Sequence, residues 1–323
     1  MTEPAPGDTG RLLVVGELCA DIVVELDEPP AFDQAETLVR RTTVTMGSSS
    51  AITACGAARL GVPTALVGVV GNDLLGTFVR SELVRRGVDV SGCLVDGTTP
   101  TGSSTILTLP GGDRSILTAT GSIGTVRVEH VANDAVAVAS HVHVGAFFVQ
   151  YALHPDLPKW FASLRERGIS TSIDPNFDPA GTWDSGIADV LTATDVLFCN
   201  QHEAMEVAGA ATPQWAVRWL LDRMPEGAVV VLKLGPRGAA AFHRSGGDTL
   251  RDDALAPPVP GMLIDTVGAG DSLAAGYLAA RLRGLPLGDA LVLGVTNGTA
   301  STRAAGGIGG QLDWPTVTSR AQL

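Results

Sequence analysis

Seven consecutive residues, Asp265-Thr266-Val267-Gly268-Ala269-Gly270-Asp271, set two carboxylates and two glycines directly before a small-residue apolar stretch, Ser272 to Ala280. The stretch reads as a helix, and the string as a glycine-broken turn that delivers an acid to the helix start. Gly268 and Gly270 permit a tight turn and leave no Cβ to obstruct a ligand. The N–H groups of a first helical turn lack intrahelical partners and point into the same space, where the helix dipole favours negative charge. Asp271 then has two readings. It caps the helix, as an Asp before a helix commonly does. Alternatively, the bare amides hold a transferring phosphoryl group while Asp271 takes the proton of an attacking hydroxyl.

Further groups fall at the carboxyl ends of strands, where open α/β sheets collect ligands. A strand read over Ile169–Ile173 delivers Asp174-Pro175-Asn176. One over Asp195–Cys199 delivers Asn200-Gln201-His202-Glu203, and one over Val229–Leu234 delivers Gly235-Pro236-Arg237-Gly238. Each also has a plain structural reading. Asp174-Pro175 is a common turn initiator. Asn200 and Glu203 have the spacing of a capping pair, and the same spacing can hold hydrated Mg2+, which keeps its waters and takes few oxygen ligands. Gly235 and Gly238 serve a turn or let a phosphate approach the backbone, and Arg237 reads as solvated. His141, His143, His154 and His202 have no partners at ligand spacing and are not read as a metal site. Lys233 lies in an apolar strand outside any G-x-x-x-x-G-K-[ST] loop, and no dinucleotide fingerprint occurs.

These ends need a sheet behind them. Leu12 to Val15 is an apolar run ending at Gly16, as a buried strand would be. Leu18–Leu26 continues extended with Asp21 inside it, and Thr37–Thr45 reads as a half-exposed strand. Ala51–Leu60 is an alanine-rich helix stopped by Gly61 and Pro63. Thr64–Val70 reads as one strand and Leu74–Arg86 as an amphipathic helix. Thr101–Thr120 reads as a hairpin turning at Pro110-Gly111-Gly112-Asp113. From Ser140–Val144 onward, strands alternate with helical stretches, which means a parallel sheet covered on both faces. The expected fold is therefore α/β, a three-layer α/β/α core with a mainly parallel sheet. A small β-sheet lid, from about 17–46 and 96–121, is inserted in a single domain spanning 1–323.

The 323 residues suffice for a sizeable core, and 45% hydrophobic with 17% charged residues is ordinary globular composition. A net charge of −12 argues against nucleic-acid and acidic-membrane partners. Cys19, Cys55, Cys93 and Cys199 are scattered without metal or redox spacing, which fits a reducing cytoplasm. The polar, acidic opening Met1–Asp8 is unlike a signal peptide, and no apolar run is long enough to span a bilayer.

The string Asp-Thr-Val-Gly-Ala-Gly-Asp, with the pattern around it, resembles the ribokinase-like (PfkB) carbohydrate kinases. The resemblance implies residue roles. Asp271 is the catalytic base and Gly268, Ala269 and Gly270 the anion hole. Asp21 binds acceptor hydroxyls, with Gly47, Ser48 and Asp174 also on the acceptor side. Asn200 and Glu203 match the family's NxxE element, with Glu203 organising Mg2+ through water. Gly235 and Gly238 match a nucleotide-side turn, Asn297 borders the adenine pocket, and Asp265 with the Val267 carbonyl matches a monovalent-cation (K+) site. One departure stands out. Gly47 matches the first glycine of the family's other signature, but Ser48 replaces the second and Ile52 replaces a substrate-contacting Asn. Either the acceptor is less hydroxylated there, or Ser48, Ser49 and Ser50 supply the contacts.

The expected activity is ATP- and Mg2+-dependent phosphorylation of a hydroxymethyl group on a sugar or sugar-like molecule. A nucleoside kinase of the same fold and a catalytically weak sugar- or nucleotide-binding regulator are the alternatives. Lid strands with exposed edges suit pairing between two subunits.

Overall fold

The computed structural model describes residues 9–111, 113–257 and 259–323. The acidic opening and Gly112 of the expected turn lie outside the described residues. The chain begins with β1 (Leu12–Val15), β2 (Cys19–Glu25) and β3 (Arg41–Met46), passes through α1 (Ser49–Arg59), and returns as β4 (Thr64–Val67) and β5 (Val69–Gly71). After α2 (Leu74–Arg85) come β6 (Leu94–Asp96), β7 (Gly102–Thr108) and β8 (Arg114–Ala119). Next are α3 (Asn133–Ala137), β9 (His141–Val144), α4 (Leu157–Glu166), β10 (Ser170–Ile173) and α5 (Ile187–Leu191). Then follow β11 (Val196–Asn200), α6 (Gln201–Ala208), α7 (Pro213–Arg223), β12 (Val229–Lys233), β13 (Ala239–Ser245) and β14 (Asp248–Ala254). The chain finishes with α8 (Ala269–Arg281), α9 (Leu287–Ser301) and α10 (Trp314–Ala321).

β1 shows why the central strands are apolar throughout. Its side chains alternate between two cores: Leu12 and Val14 pack with α1, α8 and α9, while Leu13 and Val15 pack with α4, α5 and α7. The large sheet has eight strands in the order β14-β13-β12-β11-β10-β9-β1-β4. Pairing is parallel from β12 to β4. A separate sheet, β3-β2-β7-β8, has four strands, and every residue of its edge strand β8 is exposed. Among the described residues no helix is long and apolar enough to cross a membrane.

Three expectations are corrected. Thr64–Val70 is not one strand: β4 joins the large sheet, whereas β5 pairs with β6 in a two-stranded ribbon. The chain divides at Gly68, where a Cβ would sit 2.7 Å from the Gly16 carbonyl oxygen. The third strand starts at Arg41, not at Thr37. After β12 the chain makes no helix but an antiparallel hairpin, β13–β14, that completes the sheet edge. Its signal was present in Gly246-Gly247, which connects two seven-residue strands with both glycines at positive φ, as a tight hairpin demands.

His141 and His143 tie β9 to β10. His141 Nδ1 and Nε2 lie 2.6 Å from the Ser170 and Ser172 hydroxyls, and His143 Nδ1 lies 2.8 Å from Ser172. Burial lowers both imidazoles to about 3, so both are neutral. All four cysteines are unpaired and buried. Burial pushes the Cys55 and Cys93 thiols up to about 12.

Candidate active site

Helix α8 starts at a left-handed Gly268 (φ 71°), and no side chain caps it. Asp271 is thus the third helical residue and not the cap, which removes the simplest structural reading of it. The Ser272 amide donates to Gly268 O (2.8 Å) and the Ala269 amide to Thr266 O (3.3 Å). Among the described residues the amides of Gly268, Gly270 and Asp271 donate to no protein acceptor. The free donors at this helix mouth therefore include Asp271's own amide, with Ala269 engaged inside the turn.

The turn rests on Ile52. A Cβ on Gly268 would lie 2.5 Å from Gly307 Cα and 3.0 Å from Ile52 Cδ1, so the left-handed glycine has no substitute here. The Ile52 side chain packs beneath Gly268 and Gly307 and is 3% exposed. Its role is apolar support of the turn, which explains why no polar residue is needed at that position.

The three serines before it divide their work. Ser48, at φ 77°, caps α1 by accepting from the Ala51 amide (3.0 Å) and donates its own hydroxyl to Glu17 O. Ser50 donates to the Glu17 carboxylate at 2.6 Å. The Ser48 and Ser50 hydroxyls are thereby engaged within the protein. Ser49 accepts from the Asn176 amide and lies beside Asp271.

The Asp271 carboxyl is pushed up to about 7, chiefly by burial. The Asp174 and Glu17 carboxylates add to the rise, while the Lys233 ammonium and the Ser49 hydroxyl oppose it. An acid in that range beside unpaired amides is suited to accept a proton at neutral pH while an anion sits on the backbone.

Asp21, on β2, is 8% exposed and raised to about 6, by burial first and by Asp265 second. Gly47 makes room for it: a Cβ there would stand 2.3 Å from Asp21 Oδ1. Asp265 accepts the Val267 amide (2.9 Å) on one oxygen and the Gly306 amide (3.0 Å) on the other. Both oxygens thus tie the turn to the 306 loop, and the geometry offers no added support for the cation reading of Asp265 and Val267.

Asp174 is 1% exposed and accepts a 2.6 Å bond from Lys233 Nζ, which also stands 4.0 Å from Glu203. Burial alone would lower the Lys233 ammonium, but Asp174 and Glu203 hold it above the ordinary lysine range. The ammonium also touches the helix mouth, since a Cβ on Gly270 would lie 3.3 Å from Nζ. Sequence reasoning passed over Lys233 for want of a phosphate-loop motif. Its place at the end of β12 was the available signal.

Asn200 and Glu203 form a complete capping box. Asn200 Oδ1 accepts the Glu203 amide (2.9 Å), and Glu203 accepts the Asn200 amide (2.8 Å) and its Nδ2 (2.6 Å). Burial raises the Glu203 carboxyl. Gly238 (φ 93°) must be glycine because a Cβ would meet Ala254 O at 2.0 Å, whereas Gly235 (φ 61°) faces open space. Arg237 is exposed, as a solvated side chain would be, and donates to Gln201 Oε1 at 3.0 Å on the surface. Asn297 is fully buried, donating to Ser272 O (2.7 Å) and accepting the Leu312 amide (3.0 Å), so its side chain ties α9 to α8 and to the segment before α10.

A sequence profile described as pfkB family carbohydrate kinase matches residues 9–314. The chain is 29% identical over 269 residues to the 2-dehydro-3-deoxygluconokinase of Bacillus subtilis, covering 80% of each chain. It is 26% identical over 276 residues to a nucleoside kinase of Methanothermobacter thermautotrophicus, covering 85% of this chain and 84% of that one. The structure of Arabidopsis thaliana ribokinase complexed with ribose and ATP superposes with a TM-score of 0.81 at 20% identity, covering 98% of this chain and all of that one.

Proposed function

Because the chain belongs to the pfkB family of carbohydrate kinases, we propose that it transfers the γ-phosphoryl group of ATP to a hydroxymethyl group of a sugar or sugar-like acceptor. The observation that carries the reading is the buried, uncapping Asp271, poised near neutrality, beside amides with no protein acceptor. In this reading the acceptor lies between Asp21 and Asp271, covered by the β2-β3-β7-β8 sheet. Asp271 takes the hydroxyl proton as the acceptor oxygen bonds to the γ-phosphorus. The bond from that phosphorus to the bridging oxygen breaks, ADP leaves, and Asp271 returns the proton to solvent. The Gly268, Gly270 and Asp271 amides meet the charge of the passing phosphoryl group. Lys233, aligned by Asp174 and Glu203, adds a fixed positive charge at the same mouth.

The residues present fit a hydrated Mg2+. Among the described residues no three His, Cys, Asp or Glu side chains converge as a metal cage, and such an ion needs only one or two carboxylates beside its waters and the phosphates. Glu203 and Asp174 are the two that would hold it. Bound there, it would supply positive charge to offset that of the nucleotide phosphates. Gly235, with open space at its Cα, supports a nucleotide passing that turn.

Two kinetic results test the assignment. kcat/KM should rise with unit slope from acid pH and level off above about pH 7, because only ionised Asp271 accepts a proton and its free-enzyme pKa lies about there. A profile flat from pH 5 to 8 would remove Asp271 from the base role. Gly47→Ala should raise the acceptor KM about ten- to a hundredfold by displacing the Asp21 carboxylate, with the ATP KM unchanged. Equal changes in both would separate Asp21 from acceptor binding. A coupled ADP assay over free sugars and nucleosides distinguishes a sugar kinase from a nucleoside kinase.

A further inference from the structure

The relatives act on acceptors of different charge, since a gluconate derivative carries a carboxylate whereas ribose and nucleosides carry none. The charges around this chain's acceptor position discriminate between them. Asp21 comes from β2, Glu17 precedes it, Asp265 and Asp271 flank the glycine turn, and Asp174 closes β10. The neutral groups among them are Ser49, Asn176 and Gln150; Gln150 donates to Glu17 at 2.9 Å. Among the described residues, no Lys or Arg nitrogen lies within 4.0 Å of the Asp21, Glu17, Asp265 or Asp271 carboxylates. Lys233 is turned to Asp174 and Glu203 on the phosphoryl side.

The small sheet brings no cation closer. Asp21 pairs in register with Thr45 and Ser104. Arg41 sits opposite Glu25 and Arg114 opposite Thr108, each four strand positions from that row, a distance of roughly 13 Å. Arg41 is paired with Glu25, and Arg40 with Asp27. A carboxylate or phosphate on the acceptor would therefore enter a cluster of acids that carries no paired Lys or Arg among the described residues. Hydroxyl groups, in contrast, can donate to Asp21 and Asp271.

We propose that the acceptor is an uncharged polyhydroxy compound, and that sugar acids and sugar phosphates are rejected by the carboxylates that bind its hydroxyls. This rests on the kinase reading of the same site and narrows it to one class of acceptor. The bland alternative, that a mobile surface arginine reaches in to pair with an anionic acceptor, predicts the opposite preference.

The test measures ADP release by the full chain with Mg2+ and ATP. The neutral acceptors are D-ribose, D-fructose, D-glucose and adenosine. The anionic ones are D-gluconate, 2-dehydro-3-deoxygluconate and ribose 5-phosphate. At least one neutral compound should exceed every anionic one by about tenfold or more in kcat/KM, as like-charge juxtaposition in a desolvated site requires. Asp21→Asn should shrink that ratio. An anionic acceptor used as well as or better than the neutral ones overturns the inference and leaves the kinase reading standing. If no compound supports ADP release, the kinase reading fails, and thermal shift with the same compounds decides the charge question. Stabilisation by a neutral compound alone supports the inference; stabilisation by an anion, or by none of them, overturns it.

Discussion

Asp271→Asn should fold at least as stably as the parent and lose about 10²–10⁴-fold in kcat. The two halves of this result come from one cause. Burial raises the Asp271 carboxyl from its ordinary 3.8 to about 7, so between those values the folded chain holds a proton that the unfolded chain has released. Stability from this group therefore declines as pH rises through that window and is lowest above 7. An amide carries no such charge. The melting temperature of Asp271→Asn should equal that of the parent near pH 4 and exceed it at pH 8. Turnover should stay low at every pH, because the amide cannot take the proton. A variant that melts lower at pH 8 would mean that the ionised carboxylate makes a stabilising contact.

Lys233→Met carries the second large effect. It leaves Asp174 and Glu203 buried beside each other without their shared cation. Breaking a buried pair by removing one partner costs about 3–5 kcal/mol, or about 4–8 °C in melting temperature for a chain of this size. Activity should fall with it, since the ammonium stands at the helix mouth and faces the Asp271 carboxylate. The double variant Lys233→Met with Asp174→Asn separates the two effects. It should recover most of the lost stability, because one buried charge has gone, and recover little turnover. An unchanged melting temperature in the single variant would show that the pair contributes nothing to folding.

How much of this was legible in the sequence follows from where each contact partner lies. The Asp265–Asp271 string could be read because its chemistry is local: a turn, a helix start and an acid within one segment. The strand ends could be read because apolar runs mark buried parallel strands, so the polar residues after them fall at one edge. What depends on distant segments could not. Lys233 acquires its meaning from Asp174, 59 residues away. Asn297 takes its packing role from two partners 25 and 15 residues distant, which its own helix does not reveal. Ile52 looked like a missing polar contact because nothing in its own helix shows that Gly268 and Gly307 stand on it. The β13–β14 hairpin differs, since its glycine pair was readable and the alternating pattern before it encouraged one more helix.

The four buried thiols have a practical consequence. With no thiol at the surface and burial disfavouring every thiolate, the native chain is a silent background for maleimide and disulfide reagents. A single cysteine introduced on β8 would then be the sole attachment point for a fluorophore or spin label, and a second on α2 would complete a ruler. Any change in the distance between the small sheet and the core when ligands are added could be timed directly, without first removing the protein's own thiols.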